Sequence, residues 1–361
     1  MRIWLGALLA AGAAGGLSAQ RYPAIVLNGR LQTQGYAFSS ENSGASSNFF
    51  IRRARIQVDA NISDRLSLVI QPSFEGGRPG GVRLRDAFVD LRLTQPESKT
   101  GLFLRTGAEK VPFGRYELLS SNNLPSIERN AGRGLAQSAA YNLFEAGGFI
   151  QTDLGASLRL VHPLGAGRTM AVKAGIYNGE GESLSDVNDA KSFGIRTTAD
   201  LTPKLGVGFA WYSHEGVVTV QPGITDSGFR NRAIGLDAQW GKPGDRGLFA
   251  VVDYLSGEDD SADRNPIRGL SAVTAYHVRL APGRTVYAVE PVVRFDWADP
   301  NANAPRNGST LLSAGVNLYL TARAQVRLMF ERQNPGAPGA PTISGLRGAM
   351  TVNFETLPLT P

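Results

Sequence analysis

The sequence predicts an all-β protein, a transmembrane antiparallel β-barrel of about sixteen strands with an inward-folded constriction loop. Three observations predict it. Hydrophobic residues recur with period two along most of the chain. The connections between these stretches are by turns short and long. The chain opens on a leader, yet no later apolar run reaches the roughly 18 residues that a membrane helix needs.

The leader comes first. Arg2 precedes an apolar stretch from Ile3 to Leu17, and Leu17-Ser18-Ala19 offers a small-residue cleavage site before Gln20. That is the layout of a secretory signal peptide over residues 1–19, leaving 20–361 as a single barrel domain. The chain has no cysteine, which excludes disulfides and thiolate metal sites. Its formal charge of +6 loses one unit with Arg2, and the basic residues form no lysine block or arginine-rich arm. Nucleic acid is therefore not an expected partner.

Strands are expected near 25–38, 49–62, 65–75, 82–93, 100–110, 153–162, 169–178, 192–201, 204–213, 230–241, 246–256, 270–280, 284–297, 309–320, 323–333 and 345–354. In FFIRRARIQVDANIS, Phe50, Ala54, Ile56, Val58, Ala60 and Ile62 share one face, and Arg53, Arg55, Gln57, Asp59 and Asn61 the other. Leu27, Leu31, Leu158, Leu160, Leu318 and Leu328 continue the apolar face on other strands, with Phe74, Trp211, Trp240 and Trp297 toward strand ends. An apolar exterior with aromatic girdles and a polar interior fits lipid outside and water inside. A soluble β-sandwich or adhesin would also alternate, but its solvent face would carry mainly Lys, Glu and Thr, whereas this one carries Arg, Asp, Gln and Asn.

Short connections include 63–64, 202–204, 242–245, 281–283 and 321–322, and long ones 39–48, 179–191, 214–229, 257–269, 298–308 and 334–344. Short turns face the periplasm and long loops the exterior in outer-membrane barrels. The longest segment without strand pattern, 111–152, is the expected constriction loop, with Arg115, Glu117, Glu128, Arg129 and Arg133 as its candidate charges. Opposite charges across a narrow passage create a transverse field. Catalytic chemistry finds little support. His162, His214 and His277 show no metal spacing, and the acidic run at 257–264 lacks the spacing and closing Glu of an EF-hand loop. A barrel hydrolase would need a Ser or Asp beside one of these histidines, and a plugged structural or adhesive barrel is the other alternative. No cofactor is expected.

The runs FFIRRARIQVDANISDRLSLVIQPSFE (49–75), VRLRDAFVDLRL (82–93) and LRTGAEKVPFGRYELLSSNNLPSIER (104–129) carry a family resemblance, as do GIYNGEG (175–181) and AGVNLYLTARAQVRLMFER (314–332). Together they resemble the phosphate-selective porin O and P family over nearly the whole mature chain. The resemblance implies a bacterial outer-membrane channel, usually a homotrimer, among lipid and lipopolysaccharide. It implies small anionic or polar solutes such as phosphate, passed along inward arginines and an inward loop that 111–152 matches. Arg53 and Arg55 match inward arginines of the second strand, and Arg52 completes the family's arginine pair.

By parity the pore-lining and anion-binding candidates are Arg30, Arg53, Arg55, Arg92, Arg105, Arg159, Lys173, Arg196, Arg294, Arg327 and Arg347. Inward acids are nearly as many: Asp59, Glu75, Asp86, Asp90, Glu109, Asp200, Asp237, Asp253, Glu290, Asp296 and Glu331. Arg52 shares parity with Phe50 and Ala54, which places it on the lipid side at the outer rim.

Overall fold

A computed structural model describes residues 22–40, 44–74, 82–130, 139–181, 186, 189–221, 224–261, 263–336 and 339–357. The expected leader over 1–19 lies outside them, as do Arg133 and Glu75. The strands are β1 (Ala24–Ser40), β2 (Gly44–Asn61), β3 (Leu66–Ser73), β4 (Arg83–Arg92), β5 (Gly101–Lys110), β6 (Thr152–Gly165), β7 (Arg168–Tyr177) and β8 (Ser192–Asp200). They continue as β9 (Leu205–Gln221), β10 (Ile224–Trp240), β11 (Gly247–Glu258), β12 (Pro266–Arg279), β13 (Ala288–Asp299), β14 (Ser309–Thr321), β15 (Ala324–Asn334) and β16 (Ile343–Glu355). Each pairs with its sequence neighbours, and β1 closes on β16 from Asn28↔Glu355 to Ser40↔Ile343. The result is a closed barrel of sixteen antiparallel strands, with no free sheet edge.

Alternation explains why these residues pair this way. Leu31, Ile56, Leu158 and Leu328 are exposed on the outside, while Gln32, Ser157 and Arg327, one position away from Leu31, Leu158 and Leu328, are buried inside. The short turns repeat one device. Ser63 Oγ accepts the Arg65 and Leu66 N–H groups, and Thr202 Oγ1 accepts those of Lys204 and Leu205. Thr321 Oγ1 accepts that of Arg323. A side-chain oxygen that satisfies the turn's donors lets a connection of a few residues reverse the chain.

The long connections expected at 39–48 and 214–229 are instead strand for most of their length. β1 runs to Ser40 opposite Gly44, and β9 to Gln221 opposite Ile224. The ladder continues past the bilayer, where neither face need be apolar and alternation gives no signal.

The second correction concerns Arg52. Gln32 pairs with Arg53, but Thr33 pairs with Ile51, so Arg52 is the extra residue of a β-bulge. The bulge reverses parity toward the strand's outer end. Phe49 and Ile51 become the exposed pair, while Phe50 turns inward and meets Tyr36 edge-on with ring centroids 6.3 Å apart. Arg52 therefore points into the barrel and not to lipid.

Candidate functional site

The segment between β5 and β6 carries two short helices, α1 (Arg115–Leu118) and α2 (Ala140–Ala146). Each is too short for sequence periodicity to reveal. Gly114, at φ +69°, turns the chain into α1 at the end of the KVPFG motif. Phe113 stacks on Phe144 and lies near Phe149, with centroids 6.1 and 5.9 Å apart. These rings join Tyr212, Leu255, Ile267, Val273 and Val292 in one buried cluster. The segment is therefore packed by apolar contact against β9, β11, β12 and β13.

Asp253 of β11 fixes its first helix. The carboxylate accepts the N–H groups of Arg115 (2.7 Å) and Tyr116 (3.1 Å), which have no partner within the helix, and the Tyr141 hydroxyl (2.7 Å). Burial and the Asp253 charge hold the Tyr141 hydroxyl well above its ordinary pKa, so it remains a donor. The Arg115 side chain reaches Asp237 of β10.

The stretch 121–130 is held from the other direction. Glu128 accepts two hydrogen bonds from Arg52 (2.7 and 3.1 Å), one from Arg53 (3.1 Å) and one from Gln34 (2.5 Å). Burial by itself would raise the Glu128 carboxyl, but Arg52 and Arg53 outweigh it and hold the group well below the usual carboxylate range. Arg294 donates to the Glu128 carbonyl at 2.7 Å and also reaches that of Arg129. Arg327 donates to the carbonyls of Leu124 (3.2 Å) and Ser126 (3.1 Å), and Asn317 to that of Pro125 (2.8 Å). Arg30 donates to Ser121 Oγ at 2.7 Å. Side chains from β1, β2, β13, β14 and β15 thus converge on ten residues of one segment.

The wall from β4 to β8 is organised differently. Arg105 binds Asp90 at 2.8 Å and Glu109 at 3.1 Å, and Lys173 binds Glu109 at 2.7 Å. Ser157 and Tyr177 also donate to Glu109. Arg105 lies over the Phe88 ring at 3.5 Å, and Arg159 over that of Phe103 at 4.4 Å. Register places Arg159 directly opposite Lys173, and Lys173 directly opposite Arg196. Arg30 and Arg55 face each other in the same way across β1 and β2. Like charges directly opposite one another destabilise a sheet.

In three of the pairs the acid lies deeper than the base. Side-chain exposure is 18% for Lys173 against 3% for Glu109, 26% for Arg52 against 3% for Glu128, and 15% for Arg115 against 1% for Asp237. Facing the β4–β8 wall, Glu117 of α1 bonds Lys110 (2.8 Å) and Arg129 (3.3 Å). Burial opposes its charge, and Arg129 with Lys110 overcomes that and lowers its pKa.

The sequence candidates divide accordingly. Arg55, Arg92, Arg105, Arg159 and Lys173 are half-buried, whereas Arg30, Arg53, Arg196, Arg294, Arg327 and Arg347 are buried. Arg347 pairs with Glu331 at 3.0 Å, beneath the Phe38 ring. Arg52, Gln34, Asn317 and Lys110 belong to the site and were not among the candidates. Arg52 alone carried a signal, a charge on an otherwise apolar face. Each histidine meets a polar neighbour of the wall. His162 Nδ1 meets Thr100 Oγ1 at 2.8 Å, and His277 Nδ1 meets Glu290 at 3.1 Å. His214 Nδ1 lies 3.2 Å from Ser192 Oγ, which also accepts the Glu215 N–H. Gly148, at φ +75°, sits so close beneath the His214 ring that a Cβ would come within 2.4 Å of it.

A closed barrel with an apolar outside, a charged inside and a segment bonded to its inner wall defines an outer-membrane channel. The chain belongs to the phosphate-selective porin O and P family, whose model matches residues 25–238. Among solved structures it resembles the anion-selective porin of Comamonas acidovorans, with 14% identity and TM-score 0.60 over 91% of this chain and 99% of that one. It also resembles the outer-membrane channel DcaP of Acinetobacter baumannii, with 10% identity and TM-score 0.59 over 95% of this chain and 100% of that one. OmpT of Vibrio cholerae, in its trimer form, matches with 13% identity and TM-score 0.56 over 91% of this chain and 99% of that one. No curated protein matches the sequence.

Proposed function

We propose that this channel passes small hydrophilic solutes by passive diffusion and favours anions such as phosphate, with 111–152 narrowing the passage. The observation that carries the reading is the row Arg159, Lys173 and Arg196 on three adjacent strands. A sheet gains nothing in stability from three cations facing one another, whereas a passing anion is attracted by the half-buried Arg159 and Lys173, with Arg196 behind them buried against Asp237 at 2.6 Å. The hidden carboxylates support the same reading. Glu109 is only 3% exposed, against 18% for Lys173 and 15% for Arg105, so at this point the base is more accessible than the acid. Around Glu109 the sum of charges therefore understates the positive character of the surface that a solute meets.

In this reading residues 1–19 are removed on export, 20–361 form one barrel, and the protein assembles as a homotrimer in a bilayer of lipid and lipopolysaccharide. The trimer form of the Vibrio cholerae protein supports the assembly. The deciding experiment is the reversal potential of the purified protein in a salt gradient. An anion-selective sign that weakens in Arg159→Gln/Lys173→Gln bears the reading out, and a cation-selective wild type overturns it. Deleting a block within 116–130 should raise single-channel conductance, and unchanged conductance in the folded variant would show that the segment does not narrow the passage.

A further inference from the structure

The lumen leaves one set of charges unused. We infer that the periplasmic rim is a binding ring for anionic phospholipid headgroups of the inner leaflet. The short turns mark the periplasmic end, and every one of them carries or abuts a cation. Lys99 lies between β4 and β5, Lys204 between β8 and β9, and Lys242 and Arg246 between β10 and β11. Arg284 lies between β12 and β13, and Arg323 between β14 and β15. All six are exposed, and among the described residues none of them forms an ion pair. The two remaining turns hold Arg65 and Arg168, both half-buried. The acids in these turns are Asp64, Glu97 and Asp245, with Asp200 and Glu355 at the strand ends beside them.

Position identifies the partner. Four of these cations lie within a few residues of an exposed apolar side chain. Lys204 follows Leu201, Lys242 follows Trp240, Arg246 precedes Leu248, and Arg168 follows Leu164. An apolar residue at the edge of the hydrocarbon followed at once by a cation places the charge at headgroup depth, where the side chain can extend to a phosphate. A soluble acidic polymer docking on the end of the barrel would not require an apolar edge beside these four charges. The opposite rim differs, because its outward cations, such as Arg232 and Arg268, have acids on the neighbouring strands: Glu258 of β11 accepts the Arg232 backbone N–H, and Asp299 of β13 lies opposite Arg268.

The test is native mass spectrometry of the full protein in detergent, offered equal amounts of phosphatidylglycerol and phosphatidylcholine of one chain length. Wild type is expected to retain phosphatidylglycerol about tenfold over phosphatidylcholine, a preference of the size that a few interfacial cations supply. Added salt should erode that preference. A variant carrying Gln at Lys99, Lys204, Lys242, Arg246, Arg284 and Arg323 should fall to near parity, and Arg232→Gln/Arg268→Gln at the other rim should not. No preference in wild type overturns the inference, whatever the variant does. So does a preference that survives in the six-site variant or at high salt. Binding of an acidic cell-wall fragment with no lipid preference would give the ring to a different partner and would also overturn it.

Discussion

Two walls of the same lumen carry arginines to opposite ends. On the wall formed by β13, β14, β15, β1 and β2, Arg30, Arg53, Arg294 and Arg327 are buried, and most of their donors go to carbonyls and side chains of the inward segment. On the wall from β4 to β8, Arg105, Arg159 and Lys173 are half-buried and pair with carboxylates of the wall itself, of which Glu109 lies beneath its bases. The lesson is that pointing inward does not make a residue line the passage. What the side chain meets when it arrives decides whether it acts on the solute or on the fold. A guanidinium bonded to backbone carbonyls has little left to offer an anion, while a cation resting on a buried acid still presents charge to water.

The largest test breaks the first wall. Glu128→Ala leaves Arg53 buried without its carboxylate, beside Arg30 and Arg55. Removing one partner of a buried ion pair costs about 3–5 kcal/mol, here concentrated on the attachment of 121–130. The expected outcome is a folded barrel with raised, noisier single-channel conductance. Conductance like wild type would show that the carbonyl contacts of Arg294 and Arg327 hold the segment without Glu128.

The next test sets the walls against each other. A unit charge within about 4 Å of an ion is worth about 1 kcal/mol in water, so removing two should lower the anion-to-cation permeability ratio about fivefold or more. Arg159→Gln/Lys173→Gln should do this with conductance little changed. Arg327→Gln should do the reverse, loosening the segment and leaving the reversal potential nearly unmoved. If Arg327→Gln shifts the reversal potential as far, the two walls do not divide the work.

Much of this was legible in the sequence, for reasons particular residues make plain. The strands announced themselves because alternation such as Leu31, Thr33 or Ile56, Val58 is local. The clamp did not, because Arg327 and Ser126 are separated by 201 residues and Arg52 and Glu128 by 76. Asn317 and Gln34 read as ordinary inward polar groups until the segment they hold is present. The bulge hid behind Phe49, Phe50 and Ile51, which are apolar and suit either face. The motifs behind the family resemblance prove to be the anchors themselves. KVPFG supplies Phe113 and Gly114, RDAFVDL supplies Phe88 and Asp90 to Arg105, and GIYNGEG supplies Tyr177 to Glu109.

The bulge permits a test in which a deletion should do less than a substitution. Because Arg52 is the extra residue, removing it leaves Arg53 opposite Gln32 and Ile51 opposite Thr33 as they are now. Deleting Arg52 should preserve the outer half of β2 and lose only two of the bonds to Glu128. A water-soluble thiol reagent should label Phe50→Cys and spare Ile51→Cys, with and without the deletion. In a strand without a bulge the deletion would exchange the two. Conductance should rise less than in Glu128→Ala, since Arg53 and Gln34 still hold the carboxylate.

The smallest effect is expected from pH, and its sign follows from the same carboxylate. Glu128 has a folded pKa well below its ordinary value, because Arg52 and Arg53 outweigh the burial that alone would raise it. A depressed carboxyl contributes stability that is fully present above the unfolded value, about 4.3, and is lost as pH falls through the folded one. Conductance should therefore stay level from neutral pH down to about 4 and rise only below that, toward the level of Glu128→Ala. In Glu128→Gln the acid-dependent rise should be absent at every pH, since the amide has no proton to gain. A rise that begins near pH 6 in wild type and persists in Glu128→Gln would assign the acid response to another group and leave Glu128 a passive member of the clamp.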